Sequence, residues 1–316
     1  MYGSVGRPDL LGPVHTHTLV HHQYASAHRL ATELPDTAEV YPTHGFGSFC
    51  SATQSEASSS TIANERRVNP ALTRDEQTFV DELLAGLDTW PAYYAHMAAA
   101  NAAGPGAPDL SPPELADAAQ VRRRIEAGEW VVDLRHRVAF AAGHVPGTFN
   151  IGLDDGFAAY LGWLIPWGTP LTLLGETPDD VARAQRELVR IGIDRPVAHA
   201  SGEPATWAGS ARLGTLARAS FADLELVRHH RPIVVLDVRR NLEWADGHLA
   251  GAIHIPLHDL RDRLGEVPVG EVWVHCAAGY RASIAASMLA VTDRSVVTVD
   301  DEFEEAKATG VLTVSA

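Results

Sequence analysis

VVDLRHRVAFAAGHVPGTFNI, residues Val131 to Ile151, returns 104 positions later as VLDVRRNLEWADGHLAGAIHI, residues Val235 to Ile255. The copies align without a gap. Asp133 falls on Asp237, Arg135 on Arg239, Gly143 on Gly247, His144 on His248, Gly147 on Gly251 and Ile151 on Ile255. A shared D-x-R…G-H-x-x-G…I pattern of this kind marks an internal repeat. Each copy opens on an apolar, β-branched run, Val131–Leu134 or Ile233–Val238, suited to a buried parallel strand. Polar helical turns precede Gly143 and Gly247. A second short apolar run follows, Leu171–Leu174 or Val272–His275, and then a helical stretch, Asp179–Ile191 or Arg281–Ala290. Strands alternating with helices predict an α/β fold with parallel sheets covered by helices.

Outward from the repeat, the Pro-, Gly- and Ala-rich stretch Asn101–Glu114 reads as a linker, and a softer break lies near Gly202–Gly214. These divide the chain into 1–107, 108–210 and 211–316. The 316 residues carry a formal net charge of -15, which argues against nucleic acid or an anionic membrane as the main partner. No apolar run of about twenty residues is present, so no membrane span is expected. Met1–Pro13 lacks the charged-then-apolar pattern of a secretion signal. Cys50 and Cys276 are the only cysteines, too few and too far apart for a disulfide framework, and a reducing cytoplasm fits them.

The second strand of the second copy runs directly into Cys276-Ala277-Ala278-Gly279-Tyr280-Arg281, where a helix begins. A loop rising from a strand into a helix aims several backbone N–H groups at one point, and the helix dipole adds positive potential. Such a bowl favours the thiolate, which is the nucleophilic form of cysteine. Gly279 allows the tight curl, and Arg281 supplies a permanent cation. The bland alternative is a buried structural cysteine at a strand end.

C-x-x-G-x-R after a strand, preceded by D-V-R…E-W-x-x-G-H-x-x-G-A-x-x-I-P, resembles the rhodanese family. Asp237, Arg239, Glu243, Gly247, His248, Gly251, Ala252 and Pro256 fall on that pattern. The resemblance spans most of 211–316. It implies a rhodanese fold, catalysis by Cys276 with Arg281, and a substrate-binding loop of Ala277, Ala278, Gly279 and Tyr280. A persulfide on Cys276 would take sulfane sulfur from a small donor, a persulfide or thiosulfate, and pass it to a thiol or cyanide, with no cofactor. Asp237, Arg239 and His248 are expected to brace loops. Phosphatases with a similar fold use C-x5-R; the four residues between Cys276 and Arg281 make a tighter bowl, suited to sulfur. Ala277 and Ala278 stand where many thiosulfate-using members carry a basic side chain, so with Arg281 as the lone cation a doubly charged donor is expected to bind weakly.

Residues 108–210 repeat the pattern without a cysteine. Thr177 suits an N-cap, Pro178 the first helical position, and Asp179 and Asp180 the dipole. This segment is expected to be a non-catalytic rhodanese-like domain packed on the active one.

In residues 1–107, a helix is expected near His17–Leu34, followed by a strand ending at Tyr41-Pro42-Thr43-His44. The segment resembles the last part of a metallo-β-lactamase-fold domain of the persulfide dioxygenase and glyoxalase-like hydrolase kind, in which fusions to rhodanese domains occur. The resemblance makes His44 a metal ligand, with iron or zinc held only in a form that also carries the upstream half of the fold and its H-x-H-x-D-H motif. The implied fold class is therefore α/β: two rhodanese-like parallel-sheet domains preceded by a C-terminal fragment of a metallo-β-lactamase αββα fold. His15, His17, His21 and His22 lack the Asp of that motif and read as a solvated helix face. Phe79, Leu83, Leu84 and Leu87 are expected to lack packing partners in so incomplete a layer. Three functions remain open: a sulfurtransferase, a metal-dependent persulfide dioxygenase or hydrolase, and a non-enzymatic persulfide relay or docking scaffold.

Overall fold

The computed structural model describes residues 5–41, 59–104, 106–154, 156–292, 294–312 and 314–315. The chain divides into two compact units, Met1–Trp90 and Pro91–Ala316. The first unit thus ends before the Asn101–Glu114 linker, and the helix Tyr94–Ala103 goes with the second.

The first unit is mostly helical. The expected helix near His17–Leu34 spans Pro13–Glu33, and Ile62–Val68, Pro70–Thr73 and Glu76–Ala85 follow. Thr61, Asn69 and Asp75 cap the last three by accepting from Asn64 N, Ala71 N and Thr78 N. Two short strands, β1 (Glu39–Val40) and β2 (Ser60–Thr61), pair antiparallel. The expectation of unpartnered apolar faces here is corrected. Phe79, Val80 and Leu83 are buried against Val20, Ala27 and Ala71, with Leu84 packed at the edge. The long helix supplies the partner layer. Its His21 Nδ1 lies 2.8 Å from Glu76 Oε1.

The second unit holds two five-stranded sheets, parallel throughout. The first contains β3 (Glu114–Leu115), β4 (Trp130–Asp133), β5 (Phe149–Asn150), β6 (Leu171–Gly175) and β7 (Ala198–Ser201), in the order β3-β7-β6-β4-β5. The second uses β8 (Ala217–Ala219), β9 (Val234–Asp237), β11 (Ile253–His254), β12 (Glu271–His275) and β13 (Ser295–Val299), in the order β8-β13-β12-β9-β11. β10 (His248–Leu249), between β9 and β11 in sequence, pairs antiparallel with β14 (Val314–Ser315). The two orders are the same, strand for strand. The register repeats as well: Val132 and Asp133 face Phe149 and Asn150, while Leu236 and Asp237 face Ile253 and His254, each residue 104 positions on.

Local chemistry repeats with the topology. Asp133 binds the Arg135 guanidinium, which also donates to Gly143 O at 2.8 Å; Asp237, Arg239 and Gly247 O do the same in the second sheet. Both carboxylates are fully buried, so each needs this charge-assisted partner. The helix Pro178–Val189 starts with a reciprocal capping box between Thr177 and Asp180.

The helix Tyr280–Leu289 joins the two halves. Arg281 to Leu289 are all buried, so it is covered on every side. That is why it is rich in Ala and Ser. Ser283 Oγ donates to Asn150 Oδ1 at 2.7 Å, and Ser287 Oγ accepts from Asn150 N at 3.1 Å. Asn150 Nδ2 in turn donates to Arg135 O at 2.9 Å. Small polar residues let the helix approach the first sheet closely while leaving these groups paired.

Candidate active site

β12 ends at His275, and Cys276 follows with 2% of its surface exposed. Gly279 takes φ +84°, a left-handed conformation that curls the loop into the N-terminus of the Tyr280–Leu289 helix. A Cβ at Gly279 would stand 2.0 Å from Asp300 Oδ1, so the close approach also requires glycine. Among the described residues, the N–H groups of Ala277, Ala278 and Gly279 have no acceptor. Unpaired amides beside a helix N-terminus form an anion-binding concavity. Ala277 O accepts from Phe303 N at 2.8 Å and anchors the loop's outer side.

Arg281 is placed at the loop's end but its charge is already engaged. Nη1 donates to Glu243 Oε2 at 2.6 Å and Nη2 to Glu243 Oε1 at 2.7 Å. Burial alone would raise the Glu243 carboxyl; the hydrogen bonds and charge of Arg281 overcome that and hold it at about 2. Burial opposes the Arg281 charge, and Glu243 more than restores it. The expectation of Arg281 as a lone cation for the donor is therefore modified twice. Its guanidinium is paired, and Arg240 lines the same cleft. The Arg240 backbone N–H donates to Glu243 Oε2 at 3.0 Å.

Asp237 and Arg239 tie the end of β9 to the Gly247 carbonyl, and the Arg239 guanidinium lies 3.8 Å from the centre of the Phe303 ring. His248 stacks on Trp244 at 3.6 Å, with Nδ1 3.2 Å from Trp244 O. His275, fully buried, is kept neutral chiefly by burial. Tyr280 points away from its own sheet and donates to Gly152 O, in the first repeat, at 2.9 Å.

The first repeat contributes to the site in ways that sequence reasoning missed. Its helix Phe157–Leu164 brings Tyr160 to 5.4 Å from the Tyr280 ring and stacks Trp163 on His258 at 5.5 Å. Tyr160, Trp163, Arg240, His258 and Arg281 border one cleft of about 10 Å³. That is roughly the space of one water-sized group. On the other side of the loop, Arg137 Nε and Arg218 Nη2 share Asp300, at 2.6 and 2.5 Å. No motif flagged Tyr160, Arg137 or Asp300, because their roles arise from packing between repeats.

His44 and Cys50 lie outside the described residues. Among the described residues, no group of three or more His, Cys, Asp or Glu side chains is placed to hold a metal ion. The described residues alone therefore do not make a metallo-β-lactamase metal site.

Residues 220–309 match the family model described as a rhodanese-like domain. The rhodanese-like domain thus contains Cys276 and its loop. One similar solved structure extends over more of the chain than this domain. A metallo-β-lactamase from Staphylococcus aureus subsp. aureus COL is 26% identical with a TM-score of 0.54, covering 64% of this chain. The chain spans 56% of that structure's length. The reduced CoADR-RHD of Bacillus anthracis is 33% identical, with a TM-score of 0.27, over 28% of this chain and 16% of that one. A rhodanese-related protein from Thermoplasma volcanium is 27% identical, with a TM-score of 0.29, over 31% of this chain and 97% of that one. No curated protein matches the chain. The fold class is mixed α/β with parallel sheets, a rhodanese-like domain and a metallo-β-lactamase-like neighbour.

Proposed function

We propose that the chain is a sulfurtransferase that carries sulfane sulfur as a persulfide on Cys276. The single observation that carries this reading is the position of Cys276: directly after a strand end, at the start of a loop whose amides have no acceptor among the described residues, in a rhodanese-like domain. The Cys276 thiolate attacks the outer sulfur of a donor R–S–SH. The donor's S–S bond breaks, the thiolate RS⁻ leaves, and Cys276–S–SH forms. An acceptor thiolate then attacks that outer sulfur, takes it as its own persulfide, and releases the Cys276 thiolate. Cyanide as acceptor would leave as thiocyanate. The loop amides and the helix N-terminus stabilise the negative charge on sulfur in both steps.

The residues 108–210 fit a rhodanese-like domain without chemistry. The strand order and register match those of the second sheet, but the place of Cys276 is taken by the Gly175–Thr177 turn. The likeness to a metallo-β-lactamase favours a second reading, a metal-dependent persulfide dioxygenase or hydrolase acting in a longer protein. Bound iron or zinc with oxygen uptake on glutathione persulfide would support it. A relay or scaffold role is separated from enzymatic turnover by the rate with free small-molecule donors.

The test is direct. A persulfide or thiosulfate donor should add one sulfur atom, about 32 Da, to the peptide containing Cys276, and cyanide or a thiol should remove it. A folded protein whose Cys276 stays inert to every sulfane donor overturns the reading.

A further inference from the structure

We propose that Tyr160, carried by the repeat that has no nucleophile, is a substrate-contacting residue of the Cys276 site, donating its phenol hydrogen to the sulfane sulfur held there. This rests on the sulfurtransferase reading of Cys276 and deepens it.

Three observations point to it. The first is position. Tyr160 borders the same narrow cleft as Arg281 and Arg240, and its ring packs 5.4 Å from that of Tyr280 in the cysteine loop. The second is an unused donor. Among the described residues the Tyr160 hydroxyl has no hydrogen-bond partner, whereas the neighbouring Tyr280 hydroxyl is taken by Gly152 O. A partly buried phenol without a partner is a group that a bound molecule can satisfy. The third is charge. Burial holds the Tyr160 phenol above its ordinary range, with Arg281 pulling it down and Cys276 pushing it up. The phenol is therefore neutral, still has its proton to give, and lies within the electrostatic reach of the thiol.

The site has a use for such a donor. Both terminal nitrogens of Arg281 are committed to Glu243. Within the cysteine loop, the donors left for a sulfane sulfur are the backbone amides. A phenol from the other repeat adds one more.

The experiment compares the full chain with Tyr160→Phe, which keeps the ring and removes only the hydroxyl. The readouts are sulfur gain at Cys276 by mass spectrometry after mixing with thiosulfate or glutathione persulfide, and thiocyanate formation with cyanide. Tyr160→Phe should lower kcat/KM by about tenfold to a hundredfold, as expected for a lost hydrogen bond to a charged group, with an unchanged Tm. Gly156→Ala provides an independent route. Its methyl would fall 3.1 Å from the Tyr160 ring, so the ring must shift by a few tenths of an ångström, which should lower the rate, less than Tyr160→Phe does, while the hydroxyl remains in the chain. Sulfur loading in the wild type with equal rates in Tyr160→Phe overturns this proposal and leaves the sulfurtransferase reading standing. No loading in the wild type overturns both.

Discussion

Arg281 and Glu243 form a two-pronged ion pair, Nη1 to Oε2 at 2.6 Å and Nη2 to Oε1 at 2.7 Å, that ties the start of the Tyr280–Leu289 helix to the short helix Asn241–Ala245 after β9. The side chains are only 10% and 25% exposed, so each charge depends on the other. The pair makes Arg281 part of the frame that holds the cysteine loop, as well as a neighbour of whatever binds there.

Glu243→Gln should therefore destabilise the domain by roughly 2–3 kcal/mol at neutral pH, a value set below that of a fully buried pair because Glu243 is partly exposed. The carboxyl lies at about 2 in the folded protein, against an ordinary 4.5. A carboxylate depressed by folding stabilises the folded state above its unfolded value, and that contribution fades as pH falls from 4.5 towards 2. Thermal unfolding across that range should show the wild type losing its advantage over Glu243→Gln. A difference in Tm that stays constant down to the acid end would remove Glu243 as the cause.

Gly279→Ala tests the loop's geometry. The left-handed φ of +84° disfavours any side chain by about 1 kcal/mol, and the added methyl would meet Asp300 Oδ1 at 2.0 Å. Asp300 cannot yield without loosening Arg137 and Arg218, which share it. The expected outcome is a lower Tm and a large loss of sulfur loading at Cys276. Wild-type loading in this variant would show that the loop tolerates a different curl.

The elements that were legible in the sequence are those set by local pattern. The repeated D-x-R and G-H-x-x-G spacing produced two sheets of one strand order and one register, because each residue answers to its own strand and turn. The Thr177–Asp180 cap was readable for the same reason. What was not legible depends on contacts between distant segments. Phe79 and Leu83 find their partners in Val20 and Ala27, more than fifty residues upstream, which no periodicity announces. Glu243 stood on a recognised pattern, yet its pairing with Arg281 spans 38 residues and required the helix to be in place. Tyr160 belongs to another repeat, and its relation to the cysteine loop exists only once the two sheets are docked.

That docking can be tested at Asn150. Its amide donates to Arg135 O and accepts from Ser283 Oγ, all in buried surroundings. Asn150→Ala leaves both groups unsatisfied and should destabilise the unit by roughly 2–3 kcal/mol. Ser283→Ala removes one partner and should cost about 1 kcal/mol. Denaturant unfolding of the two single variants and the double variant gives the coupling between them. Strictly additive effects would mean that the hydrogen bond between the repeats contributes nothing of its own.

The site assignment itself turns on three substitutions. Cys276→Ser should abolish sulfur transfer, because the serine hydroxyl does not ionise at neutral pH and cannot carry a persulfide. Cys50→Ser should leave transfer intact, since the loop of amides belongs to Cys276. Arg281→Ala should act in two ways. It withdraws a cation from the cleft, weakening donor binding by no more than about 1 kcal/mol, because both terminal nitrogens already bond Glu243. It also leaves Glu243, partly buried, with only the longer Arg240 Nε contact at 3.3 Å as an ion pair, which lowers stability and puts a poorly compensated negative charge beside an anionic donor. Arg281→Ala combined with Glu243→Gln removes the second effect and leaves the first. Its Tm should recover relative to Arg281→Ala, while KM for thiosulfate stays high. If the double variant also recovers the wild-type KM, Arg281 serves only the frame, and the donor's charge is met by the loop amides and Arg240. Loss of transfer in Cys50→Ser with full activity in Cys276→Ser would refute the assignment altogether.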